Sequence, residues 1–203
     1  PREMRRFDLS GYAAVLAFGR AVADVYRRNG WHDRVFTWHE AADTRLFRPL
    51  PARLAGDLVW IGNWGDDERA RELRTFLLEP ACRMRLHGTV YGVRYPQHAR
   101  DMLDSAQIHY GGRVANHKVP DVFSAFGCTV HVPRRAYAES LPGVPTIRMF
   151  EALACGIPLV SAPWNDEEHL FRPGNDYLVV RNGAEMRQAL RDCFLLHTSP
   201  DAD

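Results

Sequence analysis

Short apolar runs rich in β-branched and aromatic residues alternate along the chain with longer stretches of helical periodicity. Residues 13–18 (AAVLAF) predict a buried strand, followed by a helix over 21–28 that stops at Asn29-Gly30. Residues 35–38 predict a second strand, and residues 43–51, polar and bounded by proline, predict a linker. A new series opens with a strand at 57–62 that runs into the turn Gly62-Asn63-Trp64-Gly65. The helix after it covers 68–78 and is followed by Pro80. Further strands are predicted at 88–93, 108–110, 129–132, 157–161 and 177–180, with helices over 119–126, 146–155 and 184–195. Strands alternating with helices build βαβ units and a parallel sheet covered on both faces. The expected fold class is therefore α/β: a doubly wound, Rossmann-like parallel sheet preceded by a remnant of a second α/β domain. Ligands of such sheets sit beyond the carboxyl ends of the strands. That rule selects the loops at 62–65, 92–96, 111–120, 133–146 and 162–165.

Composition narrows the picture only a little. With 203 residues the chain has room for one sizeable core and part of another domain. Because it starts at Pro1 rather than Met, an N-terminal portion is expected to precede it. The formal net charge of +1 removes any general electrostatic case for nucleic acid. Cys82, Cys128, Cys155 and Cys193 stand far apart and suit reduced thiols in a cytoplasmic protein. No apolar run approaches the roughly 20 residues of a membrane helix. The nine histidines lack metal-site spacing, so no metal is expected. His39-Glu40, at a strand end near the linker, are candidate cleft residues. Asp201-Ala202-Asp203 has the form of a metal-binding D-x-D but sits in a polar tail and reads as accidental. Gly62-x-x-Gly65 is not a dinucleotide fingerprint, which argues against a nicotinamide enzyme.

The sharpest segment is 142–161. Pro142, Gly143 and Pro145 make a loop, a helix begins near Thr146, and Gly156 ends it as a C′ glycine. A helix N-terminus at the carboxyl edge of a sheet offers free N–H groups at Thr146 and Ile147 to a phosphate. Arg148 adds a bidentate donor, and Glu151, one turn on, is placed to accept from a pair of ribose hydroxyls. The plain alternative is that Thr146 caps the helix while Arg148 and Glu151 form a solvated face.

Glu151-Ala152-Leu153-Ala154-Cys155-Gly156-Ile157-Pro158 resembles the E-A-(M/L)-A-C-G-x-P signature of GT-B glycosyltransferases. The run from Ala42 to Pro49 resembles the G-V-D-x-x-x-F-x-P junction between their two domains. The run from Leu170 to Val180 resembles the F-x-P-G-x-D-x-L stretch that follows. The form with Arg148 before Glu151 and Asn63-Trp64 after the first strand is most similar to the spore-maturation (CgeB-type) family.

The resemblance implies a donor-binding domain over 54–203, truncated at its C-terminus, a linker over 43–53 and the end of an acceptor-side domain over 1–42. It also implies roles for residues. Glu151 would hold the ribose; Thr146, Ile147 and Arg148 the diphosphate; Gly62, Asn63 and Trp64 would lie beside phosphates and sugar; and the 113–120 loop, with His117, would lie near the base. Two departures stand out. Gly143 occupies the position of a glutamate found in many retaining relatives, and the acidic turn Asn63-Trp64-Gly65-Asp66-Asp67 replaces their basic one. Charge neutralisation would then fall to Arg148, Arg94 or the Arg134-Arg135 pair.

The expected function is transfer of a sugar from a nucleotide diphosphate sugar to an unidentified acceptor (a glycan, protein or small molecule), with Arg148 and Glu151 as the catalytic candidates. The nucleotide sugar is a co-substrate, and no separate cofactor is expected. Catalysis would rest on orientation and leaving-group stabilisation, and this piece alone is expected to be inactive. A non-catalytic nucleotide-binding module and a sugar-nucleotide epimerase are the alternatives.

Overall fold

The computed structural model describes residues 7–198, so Asp201-Ala202-Asp203 lies outside the described residues. Two sheets organise the chain. Strands β1 (Val15–Ala17) and β2 (Val35–Thr37) pair in parallel, with helix α1 (Arg20–Arg28) packed on one face through Ala23. Among the described residues only that face is covered: Leu16 on β1 is 60% exposed, so the strand expected to be buried is half open.

The second sheet is six-stranded and parallel. In chain order it holds β3 (Gly56–Ile61), β4 (Gly88–Tyr91), β5 (His109–Gly112), β6 (Phe126–His131), β7 (Leu159–Ser161) and β8 (Leu178–Val179). Spatially the order is β5-β4-β3-β6-β7-β8. The chain thus winds outward from β3 to β5, crosses back beside β3 and winds outward again. Helices cover both faces, which is the α/β, Rossmann-like architecture expected. The last four residues of β3 show why it lies in the middle. Leu58 and Trp60 enter one core and Val59 and Ile61 the other, so an unbroken apolar run is buried on both sides.

Helices α2 (Asp67–Leu73), α3 (Glu79–Met84), α4 (Gln97–Ser105) and α8 (Gly183–Thr198) pack on the first of these faces, through Leu73, Ala81, Leu103 and Leu190. Helices α5 (Val119–Ser124) and α7 (Ile147–Ala154) pack on the second through Phe123, Met149 and Ala152. Met149 is fully buried, so Met149→Ala should cost about 2–5 kcal/mol. Among the described residues no helix is long and apolar enough to cross a membrane.

Three local expectations are corrected. Pro80 does not end the helix before it: a wide π turn over Arg74–Leu78 leads straight into α3, with Pro80 as its second residue. The widened turn relieves the clash between the proline ring and the carbonyl four residues back. Phe126 is not helical but opens β6, where it pairs with Gly56. The stretch 133–146 is not all loop, because α6 (Arg135–Ser140) forms within it.

The C-terminal end of α7 is as the sequence implied. Gly156 takes the left-handed φ of 70°. The N–H groups of Gly156 and Ile157 donate to the carbonyls of Leu153 and Ala152, a Schellman closure that leads the chain into β7.

Candidate functional site

Strands β3 and β6 pair only as far as Val59 and Thr129. Beyond that point Trp60 and Ile61 stay with β4, while Val130 and His131 stay with β7. The two strands therefore part at their carboxyl ends, at the place where the strand order reverses. This switch point is where a doubly wound sheet opens a ligand crevice. A cavity of about 280 Å³ lies there, and Gly62, Asn63, Arg69, His131, Thr146 and Arg148 contribute to its wall. An adjoining cavity of about 360 Å³ shares Asn63, Arg69 and Thr146 with it and extends to Glu40, Arg134 and Ile147.

Helix α7 points its N-terminus into this space. Thr146 is the N-cap in extended geometry (φ −85°, ψ 151°), but its side chain makes no capping hydrogen bond. Nor do the N–H groups of Thr146, Ile147 and Arg148 donate to any partner among the described residues. Unspent donors and the helix dipole make this end a seat for an anion. The plain reading, in which Thr146 merely caps, does not describe it.

Arg148 and Glu151 do not form a solvated face either. Glu151 is 2% exposed, and Arg148 holds it as an ion pair while also donating to Asn116 Oδ1 at 3.2 Å. Burial raises the Glu151 pKa, and the neighbouring guanidinium only partly opposes that rise. Glu151 lies behind Arg148 and does not line the 280 Å³ cavity.

The residues singled out from sequence thus divide. Gly62, Asn63, Thr146 and Arg148 meet around the inner cavity, and Ile147 joins them in the outer one. Trp64 does not: it is 1% exposed and packs in the core against Tyr95, with ring centroids 5.7 Å apart. Arg94, exposed and at a left-handed φ of 60°, lines neither cavity. His117, exposed in the short 3₁₀ turn Asn116–Lys118, lines neither as well. Of the arginine pair, Arg134 reaches the outer cavity, whereas Arg135 is engaged with Glu72 at 2.8 Å and Glu139 at 3.6 Å.

The cation that sequence reasoning missed is Arg69. It lies on α2, directly after the turn that reads as acidic. Asp66 is consumed there as the N-cap, accepting the Arg69 N–H at 3.0 Å, so the helix starts at once and carries Arg69 over the crevice. Its guanidinium lies 5.3 Å from the Trp60 ring and donates to the Val132 carbonyl, while its Nε has no protein partner. Burial, and then the nearby Arg134 charge, lower its pKa to about 10. Arg69 remains cationic at neutral pH. An anion beside Arg69 would offset the repulsion that the Arg134 charge exerts on it.

His131 ends β6 and lines the inner cavity. Burial, and then Arg69, lower its pKa to about 3, so the ring is neutral at physiological pH. Ser161 Oγ donates to the Ala162 carbonyl at 2.7 Å and must therefore accept from His131 Nδ1, 2.9 Å away. Among the described residues no group of three His, Cys, Asp or Glu side chains is placed to hold a metal ion.

With that geometry in place, similarity to known proteins becomes informative. A family model described as "Glycosyl transferase-like" matches residues 69–199, more than half of the chain. The chain belongs to this family. No curated protein matches the sequence. Among solved structures, sucrose-phosphate synthase from Thermosynechococcus elongatus is similar at 16% identity and TM-score 0.66, with 95% of this chain and 51% of that one covered. Anabaena HepE in complex with UDP-glucose is similar at 13% identity and TM-score 0.66, covering 95% and 58%. The pneumococcal O-GlcNAc transferase GtfA in complex with UDP and GlcNAc is similar at 14% identity and TM-score 0.58, covering 90% and 38%. These likenesses establish the GT-B type of fold, and this glycosyl transferase-like chain spans about half of each such protein or less.

Proposed function

We propose that the chain supplies the donor site of a GT-B glycosyltransferase that moves a sugar from a nucleotide diphosphate sugar to an acceptor. The observation that carries this reading is the crevice at the β3/β6 switch point. There the open N-terminus of α7 with its Arg148, and Arg69 from α2, converge on one anion-sized space. Arg69 joins Arg148 in the part that the sequence alone assigned to Arg148, Arg94 or the Arg134-Arg135 pair. In this scheme the diphosphate sits between Arg69 and α7, Asn63 and Gly62 flank the sugar phosphate, and Glu151 reaches the ribose once the anion draws Arg148 forward. The base would lie toward the loop that holds Asn116 and His117. Arg148 and the helix dipole would stabilise the charge developing on the leaving diphosphate.

The sugar is proposed to be a hexose or a derivative of one, and the subfamily CgeB-type, on the Arg148-to-Glu151 spacing and the Asn63-Trp64 turn. Residues 1–42 are proposed to belong to an acceptor-side domain, 43–53 to a linker and 54–203 to the donor domain. The chemistry is proposed to run without a metal. The protein is proposed to work in the cytoplasm, where its four free thiols stay reduced.

UDP is the first probe to try, since two of the similar structures hold UDP-glucose or UDP. A nucleotide at 100 times its dissociation constant should stabilise the protein by about 2.7 kcal/mol, read as a rise in Tm. Glu151→Ala should weaken UDP while leaving inorganic pyrophosphate unaffected. If no nucleoside diphosphate in a panel of bases moves Tm, the donor-site reading is wrong.

A further inference from the structure

Glu40 follows β2 and lines the outer, 360 Å³ cavity opposite residues of the Gly143–Ile147 segment. Its carboxylate makes no hydrogen bond or ion pair among the described residues, whereas most acids around it are engaged. Asp66 caps α2, Glu151 pairs with Arg148, and Glu168 accepts from the Arg20 N–H at 2.6 Å and pairs with His39 at 3.2 Å. The His39–Glu168 contact anchors the residue next to Glu40, so this free carboxylate sits on a fixed piece of backbone. Its charge is also of the wrong sign for the phosphates. The cations of the joined cavities, Arg69, Arg134 and Arg148, are present for an anion, and a carboxylate among them works against that binding. A carboxylate kept free at such a place is suited to a neutral, proton-bearing group.

We infer that Glu40 is the general base that takes the proton from the acceptor hydroxyl, an assignment that rests on the donor-site reading above. The acceptor oxygen forms its bond to the anomeric carbon as its proton passes to the Glu40 carboxylate. The bond from that carbon to the diphosphate oxygen breaks, and the electron pair leaves on the diphosphate, against α7 and Arg148. The positions are in the right order. Glu40 lines only the outer cavity, Arg148 lines only the inner one, Arg69 and Thr146 line both, and the transferred sugar occupies the join marked by Asn63 and Thr146. Burial, and secondarily the Glu151 charge, raise the Glu40 pKa toward the range where a general base works at neutral pH. The acceptor is accordingly a hydroxyl compound entering between the first sheet and the 143–147 loop, where Phe18 and Trp164 supply apolar walls.

The test uses this chain joined to the rest of the acceptor-side domain to which residues 1–42 are proposed to belong, with UDP-glucose as donor and water as the acceptor, following release of UDP. Glu40→Gln should lower kcat by roughly 10²–10⁴-fold and bind UDP no more weakly than wild type. The acidic fall in the wild-type rate should disappear in this variant, and Glu40→Asp should restore part of the rate together with the pH dependence. A Glu40→Gln variant that turns over at the wild-type rate overturns the assignment, as does one that changes KM but not kcat. Wild-type protein that binds UDP yet releases none from UDP-glucose also overturns it and leaves the binding reading intact. Failure to bind any nucleotide removes both.

Discussion

Helices α2 and α7 both begin at the carboxyl edge of the six-stranded sheet, beside the same crevice and on opposite faces, and their first turns are completed in opposite ways. At α2 the Asp66 carboxylate accepts the Arg69 N–H, so the helix satisfies its own start. At α7 the Thr146 hydroxyl caps nothing, and the first N–H groups stay free. The closed helix contributes a side chain to the crevice, and the open helix contributes its backbone. An acidic turn next to a proposed diphosphate site looks adverse in sequence, yet that charge is spent locally and the residue it positions is a cation. The sign of a loop is therefore a poor guide to the sign of the site it borders.

The largest effect expected is on acid stability, because the His131 imidazole is buried and, secondarily, α2 places the Arg69 guanidinium beside it. His131 has a folded pKa of about 3 against an ordinary 6.5. Between those values the unfolded chain binds the proton and the folded one does not, so stability is complete above pH 6.5 and falls as pH is lowered. The slope should reach about 1.4 kcal/mol per pH unit, measured by urea unfolding across pH 4–8. His131→Gln should flatten it. An unchanged slope would mean that the ring is not held neutral.

The second contrast is between cations. Arg69→Met should weaken UDP by roughly 10- to 100-fold by calorimetry, since it removes a charged hydrogen-bonding partner from a desolvated site. Arg134→Met, at the outer cavity, should cost no more than roughly threefold. Reversal of that order would reassign the anion-binding role. The smallest effect separates the two caps directly. Asp66→Ala should lower Tm by a few degrees, and Thr146→Ala should barely move it. Asp66 accepts the Arg69 N–H, which holds its pKa below the ordinary carboxylate value. Its stabilisation is thus present above that value and lost as pH falls through the lowered one, so the two alanine variants should converge at strongly acid pH.

Periodicity made the main architecture legible. The unbroken run at Leu58 to Ile61 implied a strand buried on both faces, and the loop, Thr146 start and Gly156 stop delimited α7 within a residue. Gly62, Asn63, Thr146 and Arg148 were found because the carboxyl-edge rule and the family signature both pointed at them. Arg69 was not, because on a helical wheel it is one more charged position. Only the parting of β3 from β6 and the early start given by Asp66 bring it over the crevice. Trp64 misled in the opposite sense: Gly62 and Asn63 just before it line the cavity, but the turn directs its ring into the core. The β1 run looked buried because aliphatic composition alone does not reveal how many faces are covered.

In the proposed donor site a nucleoside diphosphate binds between Arg69 and the open end of α7. Titrating isotopically labelled protein with UDP and following its amide resonances tests this most directly. The largest shifts should fall on Thr146, Ile147 and Arg148 and on the Arg69 side-chain Nε. Saturable UDP binding that leaves these four signals unmoved, with shifts elsewhere, would contradict it.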